Sequence, residues 1–245
     1  MPPPTRESRL ESGLQNYIVE TREGRAVFTA DGPAPRVLMI HGFKRRADQL
    51  LAWRERIADL GFVHLPGHSG APAFREVSLE AWIRGLRELF AVFPRPPLVI
   101  AESLGAIVAM SLPARALIAV EPPLSVDQLW PLHRTIAAAR ARGVEIEPAM
   151  VALFDRPFGW ALERIAAPTL VLAGLEPLLP ERPGGREPSL LTDADFAAYA
   201  AHPMVEAHRV EGGHTLLDHN PEGVMAAARP FMLRHGYLPD TAAGG

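Results

Sequence analysis

Ser103 stands where a strand would turn into a helix, which is a position that suits a nucleophile. An aliphatic run from Leu98 precedes it, and the small, apolar run 104–112 follows it. Ala101 and Gly105 lie two residues away on either side. A sharp strand-to-helix turn lifts a serine hydroxyl above the sheet edge and leaves room only for small neighbours. The pattern predicts a hydroxyl that attacks an electrophilic carbon.

His214 is the histidine best placed to activate such a hydroxyl. It ends the glycine-rich stretch Glu211–Gly213, between the last predicted strand and the last predicted helix. A loop of this kind lets an imidazole reach over a sheet edge and act as a general base. Ser103 and His214 together therefore predict nucleophilic catalysis.

The elements that must position these residues alternate between strands and helices. This order predicts the α/β class, with a mainly parallel twisted sheet and helices on both faces. A hairpin at 16–20 and 25–30 precedes this alternation. Ser78 is expected to cap one helix, and Pro230 predicts a kink or break in the last one. The further strands are predicted at 36–40, 62–64, 98–102, 116–120, 168–173 and 205–210, and the helices at 47–60, 78–93, 104–112, 192–201 and 222–235.

Composition limits the classes of function. The 245 residues are 48% hydrophobic and carry a formal charge of −3, which gives no electrostatic reason to expect nucleic acid or an anionic membrane surface as a partner. The chain contains no cysteine, so it has neither disulfides nor a thiolate nucleophile. The sequence has no signal-peptide pattern and no apolar run of membrane-spanning length. We expect a soluble, cytoplasmic protein, with disordered-like segments at 1–15, 181–188 and 241–245.

Four motifs between Arg36 and His235 resemble those of the α/β-hydrolase superfamily and occur in the same order along the chain. The motif around Ser103 is the nucleophile elbow G-x-S-x-G, with Ala101 in place of the first glycine. The others follow three different strands. They are His41-Gly42-Phe43, the loop Leu65-Pro66-Gly67-His68-Ser69-Gly70, which resembles D-x-P-G-x-G-x-S, and Gly212-Gly213-His214 with Pro221-Glu222 after it.

The resemblance implies a layout for the chain and its site. Residues 16–120 and 168–238 would form the hydrolase core, and 121–167 a small helical cap inserted over the site. The backbone amides of Phe43 and Leu104 would form the oxyanion hole. His41, Glu102, Trp130, Phe154 and Phe158 are expected to contact the substrate. The reaction is expected to need no metal and no organic cofactor. The expected partner is a small-molecule acyl substrate, and neither nucleic acid nor a membrane span is expected. The sequence does not indicate an oligomeric state.

The third member of the triad, an acid, has two candidates. The superfamily usually places it after the strand that ends here near Ala173, and counting back from Pro177 selects Glu176. Glu121, at the end of the strand after the elbow, is the alternative. Asp193 and Asp195 are expected only to stabilise the first turn of a helix.

These residues favour a serine hydrolase that cleaves a small or medium carboxylic ester or thioester through an acyl-serine intermediate. Carbon–carbon bond hydrolysis or acyl transfer on the same triad is an alternative, since fold and triad do not determine the substrate. A catalytically silent binding protein is another. A dehalogenase or an epoxide hydrolase is disfavoured, because these enzymes need an aspartate where Ser103 stands.

Overall fold

A computed structural model describes residues 4–9, 13–68, 70–182 and 187–237. In these residues nine strands form one sheet, in the order β1-β2-β3-β5-β4-β6-β7-β8-β9. The pairs β1/β2, β2/β3 and β3/β5 are antiparallel, and all later pairs are parallel. The strands are β1 Thr5–Arg9, β2 Gln15–Glu20, β3 Arg25–Ala30, β4 Val37–Ile40, β5 Leu60–His64, β6 Leu98–Glu102, β7 Ala116–Val120, β8 Thr169–Gly174 and β9 Val205–Val210.

Seven α-helices and four 3-10 helices occupy the connections in the described part of the chain. The α-helices are α1 Leu79–Phe90, α2 Ser103–Ala109, α3 Trp130–Ala141, α4 Pro148–Val151, α5 Asp193–Ala200, α6 Leu216–His219 and α7 Pro221–Arg234. The 3-10 helices are Ala47–Glu55, Val126–Gln128, Ala152–Phe154 and Gly159–Arg164. None of the described helices is both long and apolar enough to span a membrane.

The central strands are buried on both faces, which is why their residues are predominantly apolar. In β4, Leu38 and Ile40 join one apolar cluster, whereas Val37 and Met39 join a second cluster on the opposite face. Side chains alternate across a strand, so two separate layers of helices are needed to cover such a sheet. Helices α1, α2 and α5 cover the first face, and α7 with the 3-10 helix Ala47–Glu55 covers the second. The predicted fold class is confirmed.

Two local predictions differ from the structure. The helix predicted over 47–60 is a 3-10 helix that ends at Glu55, because Leu60 and Gly61 belong to β5 and pair with β4. The tail predicted over 1–15 contains β1, whose residues pair antiparallel with β2. Backbone pairing at a sheet edge supplies this order without apolar side chains.

The other element predictions agree with the structure in type. Ser78 caps α1 by accepting a hydrogen bond from the Ala81 amide (3.1 Å). Helix α7 continues through Pro230 without a break. Parts of the predicted disordered-like segments, namely 1–3, 10–12, 183–186 and 241–245, lie outside the described residues.

Candidate active site

Ser103 occupies the strand-to-helix turn that its neighbours predict. Strand β6 ends at Glu102, and α2 begins at Ser103. Its φ of 51° lies in the left-handed region, which costs a non-glycine residue on the order of 1–3 kcal/mol. A Cβ atom on Gly105 would lie 2.3 Å from the His41 carbonyl oxygen, so only glycine fits there. The turn therefore holds Ser103 in a strained conformation against the end of β4.

His214 lies on the loop between β9 and α6 and lines the same cleft as Ser103. Its backbone amide donates to the Pro188 carbonyl (2.9 Å). A Cβ atom on Gly213 would lie 2.1 Å from the Glu187 carbonyl oxygen, so a glycine is required before the histidine. The histidine loop and the segment 187–188 are thus packed backbone to backbone.

Glu187 is the carboxylate that contacts the His214 ring. Nδ1 of His214 lies 3.0 Å from Oε1 of Glu187, although the ring nitrogen is left without an aligned hydrogen bond. Oε2 of Glu187 accepts hydrogen bonds from the hydroxyl and the amide of Thr215. His219 Nδ1 lies 3.7 Å from the same oxygen. Glu187 is therefore held from two sides, with one oxygen directed at the ring.

The pKa values of this pair shift in opposite directions. Burial by itself would raise the pKa of Glu187, but the contact with His214 and the hydrogen bonds from Thr215 outweigh it and lower the pKa to about 2. Burial lowers the pKa of His214, whereas the Glu187 contact and the charges of Glu187, Glu121 and Glu102 raise it, and the net shift is upward. The carboxylates thus favour the imidazolium form.

The structure does not bring Glu176 to His214. Its carboxylate lies 3.4 Å from the Arg182 guanidinium, and both side chains are well exposed. Its backbone carbonyl accepts the Ser189 amide (2.8 Å), so this residue supports the segment after Glu187 rather than the ring. The residue that contacts His214 lies within 181–188, which carries no apolar pattern and was predicted to be disordered.

Glu121 is buried and faces backbone donors. Its carboxylate accepts hydrogen bonds from the amides of Gly174 and Leu190 and from the Ser189 hydroxyl. Burial raises its pKa and these donors oppose the rise. No hydrogen bond joins it to the His214 ring among the described residues, although its charge acts on the ring.

The turn after β4 presents the amide that was expected in the oxyanion hole. Arg45 N donates to the Gly42 carbonyl (3.2 Å), and Lys44 has φ 58°. The amide of Phe43 has no acceptor within the described residues. Leu104 lies in the first turn of α2, where backbone amides lack intrahelical partners. The amides of Phe43 and Leu104 thus belong to elements that leave their N–H groups free to donate to a substrate oxygen near Ser103.

Glu102 and His41 support this turn. Oε1 of Glu102 accepts the Gly42 amide (3.0 Å) and Oε2 accepts Arg45 Nη1 (3.0 Å); Arg45 also pairs with Asp218. The His41 ring is 1% exposed, accepts the Leu65 amide at Nε2 (3.1 Å) and contacts the Gly42 carbonyl through Nδ1 (2.9 Å). Of the two, only Glu102 lines the cleft. His41 does not line the cleft, because its ring is buried in the core and both of its nitrogens contact backbone groups there.

The cleft has a volume of about 220 Å³ and is mostly apolar. Of the three aromatic residues expected to contact substrate, Phe154 lines it and packs edge-on against Phe43 (ring centroids 4.8 Å apart). Phe158 is fully buried behind Phe154, and Trp130 donates its indole N–H to the Leu178 carbonyl (3.2 Å). Neither of these lines the cleft. Leu132, which the sequence places in the apolar cap, lines it too. The other apolar walls, which sequence reasoning missed, are Leu129, Pro131, Ile136, Ile146 and Leu190.

No group of three or more histidine, aspartate or glutamate side chains is arranged to hold a metal ion in the described part of the chain. Lys44, Arg45, Glu102, Thr135 and Thr215 contribute polar side chains to the lining of the cleft. With them lie the Ser103 hydroxyl, the His214 imidazole in contact with the Glu187 carboxylate, and the two backbone amides expected in the oxyanion hole. This set suits acyl transfer to a serine.

The sequence matches the model of the alpha/beta hydrolase family over residues 37–228. This range includes Ser103, Glu187 and His214. The search of curated proteins found no match.

Solved structures with a similar fold include several hydrolases. The N-formylmaleamic acid deformylase of Pseudomonas putida S16 is 19% identical, with a TM-score of 0.68 over 87% of this chain and 99% of the deformylase. An N-acyl homoserine lactonase complexed with N-hexanoyl homoserine is 16% identical, with a TM-score of 0.63 over 92% and 98%. The thioesterase domain from the curacin biosynthetic pathway is 18% identical, with a TM-score of 0.58 over 89% and 99%. Identities this low show a shared fold alone.

Proposed function

The chain belongs to the alpha/beta hydrolase family, and from this premise we propose that it is a serine hydrolase with Ser103 as nucleophile, His214 as base and Glu187 as the acid. The observation that carries the proposal is the contact between His214 Nδ1 and Glu187 Oε1 at 3.0 Å, in a cleft that Ser103 also lines. A histidine held by a carboxylate on one nitrogen keeps the other nitrogen free for the hydroxyl.

The proposed reaction follows the acyl-enzyme route. His214 takes the proton of the Ser103 hydroxyl while the oxygen attacks the substrate carbonyl carbon. The amides of Phe43 and Leu104 stabilise the oxyanion that forms, an effect worth on the order of 3 kcal/mol for each donor. The leaving group then departs with the proton from His214. Water, deprotonated by the same histidine, attacks the acyl-serine and releases the acid.

The substrate class we propose is a small or medium carboxylic ester or thioester. The cleft is small and apolar, and its walls come largely from α3 and residues 146–154. These residues belong to the segment 121–167, which we propose acts as a cap. An apolar cleft of this size suits a short acyl chain better than a polymer or a highly charged compound.

The test is covalent labelling by a fluorophosphonate, combined with a screen of chromogenic esters and acyl thioesters of graded chain length. We expect the wild type to be labelled and to hydrolyse short-chain members. Ser103→Ala should abolish labelling, and His214→Ala should lower turnover by about 10³-fold or more. Labelling that persists unchanged in both variants would refute the serine mechanism.

A further inference from the structure

Glu121 combines two unfavourable features that a loop carboxylate would ordinarily avoid. It directly follows β7 with φ 56°, in the left-handed region, and it is 0% exposed. Strained backbone and buried charge each cost free energy, and both persist only where the surroundings hold them in place. The backbone contributes to this, since the Glu121 amide donates to the Leu172 carbonyl (2.8 Å) in the neighbouring strand β8.

The carboxylate of Glu121 joins two segments of the chain through hydrogen bonds. One is the end of β8, through the Gly174 amide, and the other is the pair Ser189–Leu190. The Ser189 hydroxyl lies 2.9 Å and 3.1 Å from the two carboxylate oxygens and accepts the Leu191 amide (3.0 Å). The amides of Gly174 and Leu190 and the Ser189 hydroxyl thus all donate to this one carboxylate.

The held pair lies two and three residues after Glu187. Between them, the Pro188 carbonyl accepts the His214 amide (2.9 Å). A shift of Ser189 and Leu190 would therefore move both the Glu187 carboxylate and the backbone on which the histidine loop rests. Glu187 and Glu102 are the other carboxylates whose charges act on the His214 ring.

We propose that Glu121 is a positioning residue, which clamps residues 187–191 so that the Glu187 carboxylate meets the His214 ring. The expected effect on catalysis rests on the proposed function. The effect of Glu121 on the position of residues 187–191 does not depend on it. It assigns Glu121 a role through Glu187 rather than a contact with the ring or the substrate.

Glu121→Gln is the direct test. Both carboxylate oxygens accept backbone N–H donors, so an amide NH₂ must face one of those donors in either orientation. We expect faster hydrogen exchange in peptides covering 187–191. We also expect kcat per labelled active site to fall by about 10- to 100-fold with KM little changed, and the acid limb of kcat/KM to move to lower pH.

Asp195→Asn is the matched control. Asp195 is also a buried carboxylate that accepts hydrogen bonds, from the Ser125 hydroxyl (2.6 Å) and the Thr192 amide (3.3 Å), but it caps α5. Any loss of stability should appear in both variants, whereas faster exchange at 187–191 and the shifted acid limb should appear only with Glu121→Gln. Active sites are counted by fluorophosphonate, so that unfolded protein does not lower the measured kcat.

Ser189→Ala provides a second variant that keeps the charge of Glu121 and weakens the clamp. We expect the same change in exchange at 187–191 and a smaller loss of kcat, and this variant decides the question if Glu121→Gln does not fold. Wild-type exchange at 187–191 in the folded variants would overturn the clamp. Faster exchange with unchanged kcat and acid limb would overturn its role in catalysis. A wild type without labelling or turnover would refute the proposed function, and exchange would still test the clamp.

Discussion

A carboxylate orients a histidine ring through direct contact with it, whatever the place of the carboxylate along the chain. Glu187 contacts Nδ1 of His214, while Glu176 lies beside Arg182. The charge of Glu187 is preserved down to acidic pH, because its pKa is lowered to about 2. At the scale of single residues, the proposed acid is thus selected by geometry and by ionisation together.

The first prediction separates these two carboxylates. Glu187→Gln removes the negative charge beside the imidazole and should lower kcat by about 10²- to 10⁴-fold. Glu176→Gln removes an exposed charge and should leave kcat within about twofold. Steady-state kinetics on the best ester from the screen would measure both. Equal losses in the two variants would contradict the assignment.

The second prediction concerns pH. In the proposed mechanism His214 must be neutral to accept the proton of Ser103, and its pKa is raised. Turnover should therefore be lost as pH falls, with the acid limb of kcat/KM above the ordinary histidine value of about 6.5. Glu187→Gln should move this limb to lower pH, since it removes the contact that favours the imidazolium. A limb at the same pH in both proteins would be inconsistent with the pairing.

At the scale of elements, the turns after β4 and β6 must pack against each other for the site to form. The third prediction tests this contact at Gly105, where a Cβ atom would lie 2.3 Å from the His41 carbonyl. Gly105→Ala should lower the free energy of unfolding by about 2 kcal/mol or more and reduce labelling of Ser103.

Gly159→Ala serves as the control for Gly105→Ala. No heavy atom lies within 4 Å of a Cβ built on Gly159, so this variant should unfold at the wild-type urea concentration and label normally. Urea unfolding curves at neutral pH would measure both variants. A tolerated Gly105→Ala would show that the two turns are not packed as described.

The fourth prediction concerns Arg45, which joins three elements of the site. It lies on the turn after β4 and pairs with Glu102 at the end of β6 and with Asp218 in α6. Arg45→Ala would leave the buried Glu102 carboxylate without its cation, which should cost about 3 kcal/mol of stability. Arg46→Ala breaks a pair with Asp48 in which both side chains are more than half exposed, so it should cost less than about 1 kcal/mol. Urea unfolding would contradict the prediction if the two losses were equal.

Sequence reasoning succeeded where the local pattern alone determines the element. The predominantly apolar residues of β4, β6, β7 and β8 indicate strands buried on both faces, and the small residues beside Ser103 indicate the turn. It failed where distant contacts decide. Leu60 completes a helical spacing that Gly61 is expected to end, but both residues pair with β4 and belong to β5.

Glu187 escaped sequence reasoning for the same physical reason. Its neighbours from Glu181 to Pro188 are charged, proline or glycine, which is typical of an unstructured loop. The segment that carries it contacts residues far away in the sequence, since Leu190 donates its amide to Glu121 and Gly213 closely approaches the Glu187 carbonyl. Local composition contains no trace of such contacts. The only signal was indirect: a buried carboxylate at position 121 needs donors from somewhere else in the chain.

At the scale of the whole molecule, three histidines are packed together in the core. The rings of His41 and His68 have centroids 5.2 Å apart, and those of His41 and His64 lie 6.5 Å apart. Burial lowers the pKa of His41 to about 3 and also lowers that of His68. The folded state therefore keeps the rings of His41 and His68 neutral at pH values where the same rings in the unfolded chain are protonated.

The fifth prediction follows from this difference. Between about pH 6.5 and pH 3 the unfolded state binds more protons at His41, so stability should fall as pH falls, by about 1.4 kcal/mol per pH unit for each such group. The raised pKa of His214 acts in the opposite direction. Urea unfolding at pH 7.5, 6 and 5 would measure the slope. His68→Phe, which places an apolar ring beside Phe43 and Trp82, should reduce it; an unchanged slope would rule His68 out as a source.

The chain leaves the sheet at β7 and returns at β8, and these two strands are neighbours. The segment between them supplies most of the apolar wall of the cleft, whereas Ser103 and His214 follow the ends of β6 and β9. Because the segment begins and ends at adjacent strands, it could be exchanged without a change in the order of the strands in the sheet. We therefore expect that replacing residues 121–167 with the corresponding segment of a homologous hydrolase would change the acyl group that the proposed enzyme accepts, while Ser103 and His214 keep their positions. The replacement would have to retain Glu121 as its first residue.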